Sequence, residues 1–522
     1  MHIDIIETLP SLARLEDNWN AVYDADPEAQ IFLSWKWLSG WLAHIQGPWF
    51  ILAAKASDSA DAPYVAFFPL RMQTSFEKAD VVNEVKMAGN FSADYTGIVC
   101  APDAESKVIP AFARHIKQMN WTRLNLENVR MSERRFRLLL AYFPKANFQV
   151  TEVNRVDKVE GIDFTRCPYA AFPKDWNSYL LSLSTNRRSK IRRLLKLVDA
   201  AGEYRITVST AETFAQDLKI LLQFWDIKWR PRKGDLTDNL VRSNSIMLTR
   251  SFQSGLVFLP TFWHGDRPVA ALATLMDERK RTFECYMTGR DETFEGPSPA
   301  GILHAFSIRH AIENGFSEYD FARGNAPYKY SYCCAERKIH CTVVETRNGK
   351  NLGNRIDPRS IPDVLEQATA FHKKGQPVEA ECGYRRILDV QPKHHDALHR
   401  LGQLLAAKGN HAEAKRHFRT LTMVRPDAAK AWLCLGQVCE SLGQYREAIQ
   451  PYLEVMRLSP DQADGFIGLS RALVKLGRIE EVNNALLSTL GYAAKPSVRD
   501  WRVSDRPSAV THNKPEERQL SL

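Results

Sequence analysis

The clearest alternation of apolar and polar positions lies between residues 255 and 290. Three short runs rich in β-branched and aromatic residues, GLVFLPTFWHG, RPVAALATLMD and RTFECYMTGRD, are separated by polar turns. Short apolar runs bounded by glycine, proline and charged residues are typical of β-strands joined by tight turns. The pattern therefore predicts an antiparallel meander.

A helix and a fourth strand follow the meander. In GPSPAGILHAFSIRHAIENG the apolar residues recur at helical spacing until Gly315, and FSEYDFARG then begins as a buried strand. The first 160 residues repeat this order more loosely, because WFILAAKAS, PYVAFFPLRMQ and EVKMAGNFSADYTGIVC precede a helix near 104–119 and the strand WTRLNLENV. We therefore predict two like lobes in tandem, of mixed α/β class with mainly antiparallel sheets.

A third pattern, with a period of 34 residues, occupies the carboxyl end. The series are Gly375, Gly409, Gly443 and Gly477; Pro392, Pro426 and Pro460; Ala380, Ala414 and Ala448; and Tyr384, Phe418 and Tyr452. A small residue lets two antiparallel helices approach, glycine ends the first helix and proline stops the second. The segment AWLCLGQVCESLGQYREAIQPYLEVMRLSPD resembles a tetratricopeptide repeat, and the period predicts an all-α tetratricopeptide solenoid.

These patterns divide the chain into segments. The expected segments are a first lobe at 1–160, a second lobe at 161–348, a linker at 349–361, repeats at 362–493 and a tail at 494–522. The second lobe includes a basic helical connector, expected at 174–250. The tail is polar and without periodicity, so we expect it to be disordered.

Composition is that of a soluble globular protein, with 44% hydrophobic and 25% charged residues among 522. The net charge of +9 permits an anionic partner without requiring one. The amino terminus is acidic where a signal peptide would be basic, and no apolar run approaches the ~18 residues of a membrane span. The nine cysteines form neither C-x-x-C pairs nor a zinc pattern. We therefore expect a cytoplasmic protein without membrane insertion and without a metal.

The stretch YDFARGNAPYKY, residues 319–330, is the first candidate for chemistry. Asp320 ends a strand at the open edge of the sheet, where ligand sites of α/β folds tend to lie, although it could equally cap the loop backbone. Lys329 is a candidate contact for a phosphate or carboxylate, and the alternative is a solvated lysine. Gly324 is expected to adopt a positive φ angle. The further candidates for this anion site are Arg323 and Tyr328.

A basic helix is the second candidate. LSTNRRSKIRRLLKLVDAAG carries Arg187, Arg188 and Lys190 among further cations, which could draw in an anionic substrate. The alternative is a solvated amphipathic helix with its leucines and isoleucine inward. Trp225, in FWDIKWRPRKG, could line the same cleft or belong to the core.

Several of these stretches resemble one family. Meander, helix and strand is the core order of the GNAT acyltransferase fold. D-F-A-R-G followed by Y-K resembles the cellulose-biosynthesis-type GNAT family, which is related to the Fem-type aminoacyltransferases. The basic helix at 181–202, GNFSADYTGIV at 89–99 and IFLSWKWLSGWL at 31–42 are similar to further elements of that family. The resemblance covers roughly 20–345.

The resemblance implies a two-lobed acyltransferase, often in polysaccharide production. Acetyl-CoA or another acyl-CoA would bind the second lobe, and a small-molecule or glycan-precursor acceptor would lie between the lobes. In GNAT proteins the chain before the helix binds the pyrophosphate, where a helix amino terminus suits an anion. The matching residues are Arg290, Gly296, Ser298, Ala300 and Gly301. The usual R/Q-x-x-G-x-G/A signature is absent, so a plain helix-capping turn is the alternative.

Such a reaction needs a base and a well-placed thioester, and no metal. Asp94 is the preferred base, with Tyr95 beside it, and Asp320 and Lys329 complete the candidate catalytic set. An Asx-turn is the alternative role of Asp94.

We therefore expect an enzyme that moves an acyl group, in the first instance acetyl, from CoA to an amine or hydroxyl, with the repeats docking a protein partner. One alternative is a Fem-like transferase that uses a charged tRNA, the only case in which nucleic acid is expected. The other is a non-catalytic scaffold with a degenerate core.

Overall fold

The computed structural model describes residues 1–482 except 60, 91, 201, 333, 334, 350 and 354. The tail expected at 494–522 and the end of the predicted repeats lie outside the described residues. Two compact units divide the chain, Met1–Val364 and a second unit that begins at Leu365.

The first part of unit one is built around one sheet. Its elements are β1 (His2–Ile6), α1 (Leu9–Ala13), α2 (Glu16–Ala25), α3 (Trp35–Leu42), β2 (Trp49–Lys55), β3 (Tyr64–Glu77), β4 (Asp80–Met87), β5 (Val99–Cys100), α4 (Glu105–Lys117), β6 (Arg123–Val129), α5 (Glu133–Leu140) and β7 (Phe148–Glu152).

The remaining elements of unit one form mostly a second sheet. They are β8 (Arg166–Ala171), α6 (Trp176–Ser182), α7 (Thr185–Asp199), β9 (Tyr204–Val208), α8 (Phe214–Lys233), α9 (Leu236–Gln253), β10 (Val257–Phe258), β11 (Pro260–His264), β12 (Arg267–Asp277), β13 (Thr282–Arg290), α10 (Pro299–Glu313), β14 (Glu318–Asp320), β15 (Ala335–Lys338) and β16 (His340–Thr346).

Both sheets contain the predicted order of meander, helix and strand. The first sheet runs β1-β2-β3-β4-β6-β16-β7, with β5 beside β3, and the second runs β15-β8-β14-β13-β12-β11-β9, with β10 beside β12. After the antiparallel meander, β6 pairs parallel to β4 across α4, and β14 pairs parallel to β13 across α10. The fold is therefore mixed α/β with two mainly antiparallel sheets, as the sequence predicts.

Two details differ from the sequence-based expectation. Strand β16 lies at the end of the segment assigned to the second lobe, yet it pairs with β6 and β7 of the first sheet. The connector expected to be helical contains β9, which pairs with β11 at the edge of the second sheet. Both strands pair with distant partners, which local periodicity does not reveal.

The two sheets share a core. One cluster of buried side chains joins α2, α3 and β3 of the first lobe to α8, α9 and β12 of the second. At its centre Trp19 stacks on Phe67 with ring centroids 4.4 Å apart. The lobes therefore belong to one compact unit with a shared hydrophobic core.

Unit two consists of antiparallel helix pairs. After the helix α11 (Ile361–Lys373) come α12 (Pro377–Val390), α13 (His395–Ala407), α14 (His411–Val424), α15 (Ala429–Ser441), α16 (Tyr445–Leu458) and α17 (Ala463–Lys475). The predicted series have the expected places, since Gly409 and Gly443 have positive φ after α13 and α15. A Cβ on Gly436 would lie 2.7 Å from the Tyr452 ring, so the small residue is needed for close helix packing.

Candidate functional site

A pocket of about 410 Å³ lies beside the amino terminus of α10. Elements distant in sequence meet there, namely α7, α8, β13, α10 and the loop that follows β14. Seven of its lining residues were candidates from the sequence: Arg187, Lys190, Arg290, Ser298, Ala300, Gly301 and Tyr328. The pocket thus brings together four of the five predicted cofactor residues, all but Gly296, and part of the predicted anion site.

The charge of this pocket is of one sign. Four lining residues are cationic, Arg187, Lys190, Lys228 and Arg290, and the described lining includes no carboxylate. Arg290 is half-exposed and donates to Glu292 at 2.7 Å, so this cation is partly neutralised. A concave site with such an excess of positive charge attracts a polyanion.

Arg187 is fixed against an aromatic ring. Its guanidinium carbon lies 3.6 Å from the Tyr332 ring centroid, and its Nε is buried without a hydrogen-bond partner among the described residues. Tyr332 in turn donates its hydroxyl proton to the Gly301 carbonyl at 3.1 Å. Ordering an arginine side chain normally costs conformational entropy. Stacking on Tyr332 already orients Arg187 beside the amino terminus of α10.

The amino terminus of α10 is well formed. Ser298 is the N-cap, and its Oγ accepts from the Gly301 amide at 3.3 Å while Pro299 occupies the first helical position. The first intrahelical bond runs from Ile302 to the Ser298 carbonyl. The Ala300 amide precedes that bond and has no partner in the described part of the chain. It is thus a free donor at the positive end of the helix dipole.

His304 lies deeper in the same pocket and was not a sequence candidate. Its Nδ1 is 3.0 Å from the Tyr319 hydroxyl. Burial, together with the charges of Lys329 and Arg187, lowers the pKa of His304 to about 3. The imidazole is therefore neutral at neutral pH.

Strands β13 and β14 separate next to this pocket. They pair from Thr282 with Glu318 to Glu284 with Asp320, after which β14 ends while β13 continues to Arg290. A bulge at Tyr286 further disturbs the pairing of β13 with β12. The β13 edge beyond Glu284 has no strand partner among the described residues, so its peptide groups can bind an extended ligand.

The D-F-A-R-G motif contacts the first lobe. Arg323 donates from Nε to Asp94 Oδ1 at 2.7 Å and from Nη1 to Asn128 Oδ1 at 3.1 Å. Tyr95 donates to Asp320 Oδ1 at 2.9 Å. The two motifs that the sequence singled out in separate lobes are therefore bonded to each other.

Asp320 is fully engaged. Its Oδ1 also accepts from the Ala322 amide at 2.8 Å, and its Oδ2 accepts from Arg337 Nη1 at 2.7 Å. The carboxylate of Asp320 and the side chain of Tyr95 are both buried. Burial and the nearby charge of Asp320 raise the pKa of the Tyr95 phenol well above 10. These contacts favour a structural role for both residues over the direct catalytic role expected from the sequence.

Lys329 occupies a different environment from the solvent-accessible one expected. It is 7% exposed, and its Nζ donates to the carbonyls of Phe321, Ala322 and Arg323 at 2.8, 3.3 and 2.8 Å. Burial lowers its pKa. Three carbonyls match the three N–H bonds of an ammonium group, so the geometry argues against a phosphate contact.

The remaining candidates lie outside the pocket lining. Gly324 has φ +95°, which allows the sharp turn, whereas Ala322 adopts a positive φ without being glycine. Gly296 lies two residues before the N-cap Ser298, and a Cβ at Gly296 would meet the Phe294 ring at 2.1 Å. Trp225 packs against the shared core, with its ring 6.3 Å from that of Trp229. Arg188 is half-buried on α7 next to Arg187.

Glu284 is a buried acid that the sequence analysis missed. It is 3% exposed, its Oε1 has no hydrogen-bond partner in the described structure, and burial raises its pKa well above 4.5. The available signal was a single glutamate inside the apolar run of β13, where acidic residues are rare. The sequence also contained no signal for Asn128, which contacts Arg323, or for Arg130 and Arg337, which contact Asp320.

No group of three or more His, Cys, Asp or Glu suited to a metal occurs among the described residues. The helices within 1–482 include none long and apolar enough to cross a membrane.

Most of this pocket lies in a segment of the chain that matches a known protein family. Residues 185–330, from α7 to the loop that carries Lys329, match the model of an acetyltransferase (GNAT) domain. Residues 365–415 and 399–463 match the tetratricopeptide repeat. The chain combines a GNAT-type acetyltransferase domain with tetratricopeptide repeats. The α10 cap, the D-F-A-R-G motif and every lining residue of the pocket except Tyr332 fall within the GNAT match.

The solved structures that match this chain include the crystal structure of FemX, with 11% identity over 67% of this chain and 98% of that chain and a TM-score of 0.44. A conserved protein of unknown function from Bacteroides thetaiotaomicron VPI-5482 has 13% identity, coverage of 66% and 99%, and a TM-score of 0.41. MamA from Desulfovibrio magneticus RS-1 has 17% identity, coverage of 25% and 75%, and a TM-score of 0.24. No curated protein matches the chain.

Proposed function

We propose that this protein transfers an acyl group, in the first instance acetyl, from acyl-CoA to an amine or hydroxyl acceptor. The pocket beside α10 is the observation that carries the proposal. It combines an excess of positive charge with two features that have no partner among the described residues, the Ala300 amide at a helix amino terminus and the edge of β13 beyond Glu284. CoA offers the complementary groups, since its phosphates are anionic and its pantetheine arm contains amides.

In this proposal the phosphates lie near Arg187 and the Ala300 amide, with Lys190 and Lys228 adding charge. The pantetheine arm follows β13 towards its separation from β14. The thioester then reaches the region between Asp94 of the first lobe and Cys285, the first residue of β13 beyond its pairing with β14. No metal takes part in the step.

Asp94 is the proposed base. Arg323 holds its Oδ1, while the side chain remains partly exposed and its Oδ2 has no partner in the described structure. The acceptor attacks the thioester carbon, a C–N or C–O bond forms and the C–S bond breaks. Asp94 takes the proton of the nucleophile, and the CoA thiolate leaves and takes a proton from solvent. Tyr95 and Asp320 hold the two lobes together at this point.

The acceptor pocket that we propose lies between the lobes. A cavity of about 320 Å³ is lined by Trp41, His44 and Ser92 of the first lobe and by Arg242 of α9. Ser92 stands two residues before Asp94, and its carbonyl accepts from the Tyr286 hydroxyl at 2.9 Å. A glycan precursor suits this mixture of aromatic, polar and cationic groups, which is why we further propose a role in polysaccharide or cell-envelope biosynthesis.

Calorimetric titration of the full chain with acetyl-CoA tests the donor. We expect binding in the micromolar to low millimolar range, followed by slow release of free CoA thiol even without an acceptor. Absence of binding up to millimolar acetyl-CoA would contradict the proposal and favour the scaffold alternative.

The tRNA-dependent alternative has one observation in its favour. On α7 the side chains of Arg192, Arg193 and Lys196 are exposed, and such a row of cations can bind a nucleic-acid backbone. Activity that is lost on treatment with RNase, and that acetyl-CoA does not support, would replace acyl-CoA by charged tRNA.

We also propose that the tetratricopeptide unit docks a protein partner, because stacked repeats present an extended binding surface. A cytoplasmic location follows from the proposed donor, since acyl-CoA thioesters are intracellular metabolites.

A further inference from the structure

The loop after β14 reaches both halves of the proposed site. Its carboxyl end carries Tyr328 and Tyr332, which line the donor pocket. Its amino end carries Arg323, which holds Asp94 of the first lobe. Lys329 lies at the carboxyl end of the loop in the sequence. Its ammonium group, however, donates hydrogen bonds to backbone carbonyls of residues 321–323 at the amino end.

The backbone that Lys329 binds is not a relaxed one. Ala322 has φ +55°, a conformation that a residue with a Cβ rarely adopts and that persists only where the surroundings enforce it. The enforcing contacts are the Ala322 amide on Asp320 at 2.8 Å and the Lys329 ammonium on the carbonyls to either side. The turn aims Arg323 at Asp94, so its geometry depends on Lys329.

The donor side of the loop is equally well tied. Arg187 covers the Tyr332 ring, the Tyr332 hydroxyl bonds Gly301, and the Tyr179 hydroxyl donates to the Tyr332 carbonyl at 2.9 Å. A ligand held by Arg187 and the start of α10 therefore touches the element that ends the loop.

We propose that Lys329 is a positioning residue that couples the donor pocket to the Arg323–Asp94 pair, rather than a contact for substrate. The inference rests on the proposed acyl-CoA site and adds its regulation. Donor binding stiffens the segment 328–332, and Lys329 passes this restraint to 321–323 and so to the first lobe. Bound donor thereby restrains the Arg323–Asp94 pair, which lies on the side of the site where the acceptor is proposed to bind.

Hydrogen exchange of the full chain with and without acetyl-CoA tests this coupling. In the wild-type protein acetyl-CoA should slow amide exchange by on the order of tenfold in the loop 321–332 and also in 92–99, across the inter-lobe pair. In Lys329→Met the donor should still bind, but the slowing at 92–99 should disappear. Lys107→Met, an exposed lysine of α4, is the matched control and should behave as wild type.

A second variant keeps the test decisive if Lys329→Met folds poorly. Arg323→Met removes the other end of the connection, so acetyl-CoA should still slow exchange at 328–332 but no longer at 92–99. Slowing at 92–99 that survives in either folded variant would overturn the inference while leaving the acyl-CoA proposal intact. Failure of the wild-type chain to bind acetyl-CoA would overturn both.

A double-mutant comparison separates positioning from general destabilisation. If Lys329 acts through Arg323, the two substitutions together should slow thiol release no more than the stronger of them alone. Multiplying effects would show that Lys329 acts independently of the pair and would overturn the inference.

Discussion

Arg187 and Arg188 are neighbours on α7 with different surroundings. Arg187 is stacked on Tyr332 and lines the pocket, whereas Arg188 does not line it. Replacing Arg187 by Met should therefore weaken acetyl-CoA binding by about tenfold or more, since a charged hydrogen bond is worth roughly 1.5–3 kcal/mol. Arg188→Met is the matched control and should leave the dissociation constant within about twofold. Equal effects in calorimetric titration would show only a general loss of positive charge.

His304 provides a test by pH. Its folded pKa of about 3 lies below the ordinary value of 6.5, so the unfolded chain binds the extra proton between these values. The contribution of the neutral His304 to the free energy of unfolding is therefore fully present above pH 6.5 and decreases as the pH falls towards 3. His304→Gln should reduce the slope of the free energy of unfolding against pH by up to about 1.4 kcal/mol per pH unit between pH 3 and 6.5. Urea unfolding at several pH values measures it, and identical slopes would contradict a buried neutral imidazole.

The sequence pointed to several residues that line the proposed donor pocket, but it revealed less about what their side chains contact. Arg290, Ser298 and Gly301 were named because the resemblance to the GNAT fold implies a pyrophosphate site between the last meander strand and the helix, and the order of elements shows where that position lies in this chain. Lys329 was interpreted as an anion contact because the sequence does not show that three carbonyls of its own loop surround it. His304 was missed because it reads as one more position on an apolar helix.

The packing of β13 on α8 depends on a glycine. A Cβ added at Gly289 would lie 2.7 Å from the Leu221 carbonyl and 2.8 Å from the Phe224 Cβ. Gly289→Ala should therefore destabilise unit one by about 1–3 kcal/mol and displace the strand that borders the pocket. Gly40→Ala in α3 meets nothing within 4 Å and should instead stabilise by about 0.5–1 kcal/mol. Thermal unfolding of both variants distinguishes steric overlap from the mere loss of a glycine.

Element order was predictable where contacts are local and not where they are distant. The meander, α10 and the repeats follow from periodicity and from glycine and proline positions. Strand β16 joins the first sheet after a separation of about two hundred residues from β6, and no local pattern encodes that partner. The pairing of Tyr95 with Asp320 and of Asp94 with Arg323 is likewise a consequence of how the lobes pack.

The division of the chain into Met1–Val364 and a unit that begins at Leu365 predicts separable functions. The proposed donor pocket and base lie wholly in the first unit, which has its own core. A fragment of residues 1–364 should therefore fold and bind acetyl-CoA with a dissociation constant within about twofold of the full chain. Calorimetry on both proteins measures this, and loss of binding in a folded fragment would place part of the donor site in the repeats.

The central claim is that the pocket beside α10 holds acyl-CoA. A crystal structure of the full chain with acetyl-CoA tests it most directly. The account predicts the pyrophosphate within hydrogen-bond distance of the Ala300 amide and next to Arg187, with the pantetheine arm along the open edge of β13. Density for the ligand at another surface, or a pocket that stays empty at saturating acetyl-CoA, would contradict it.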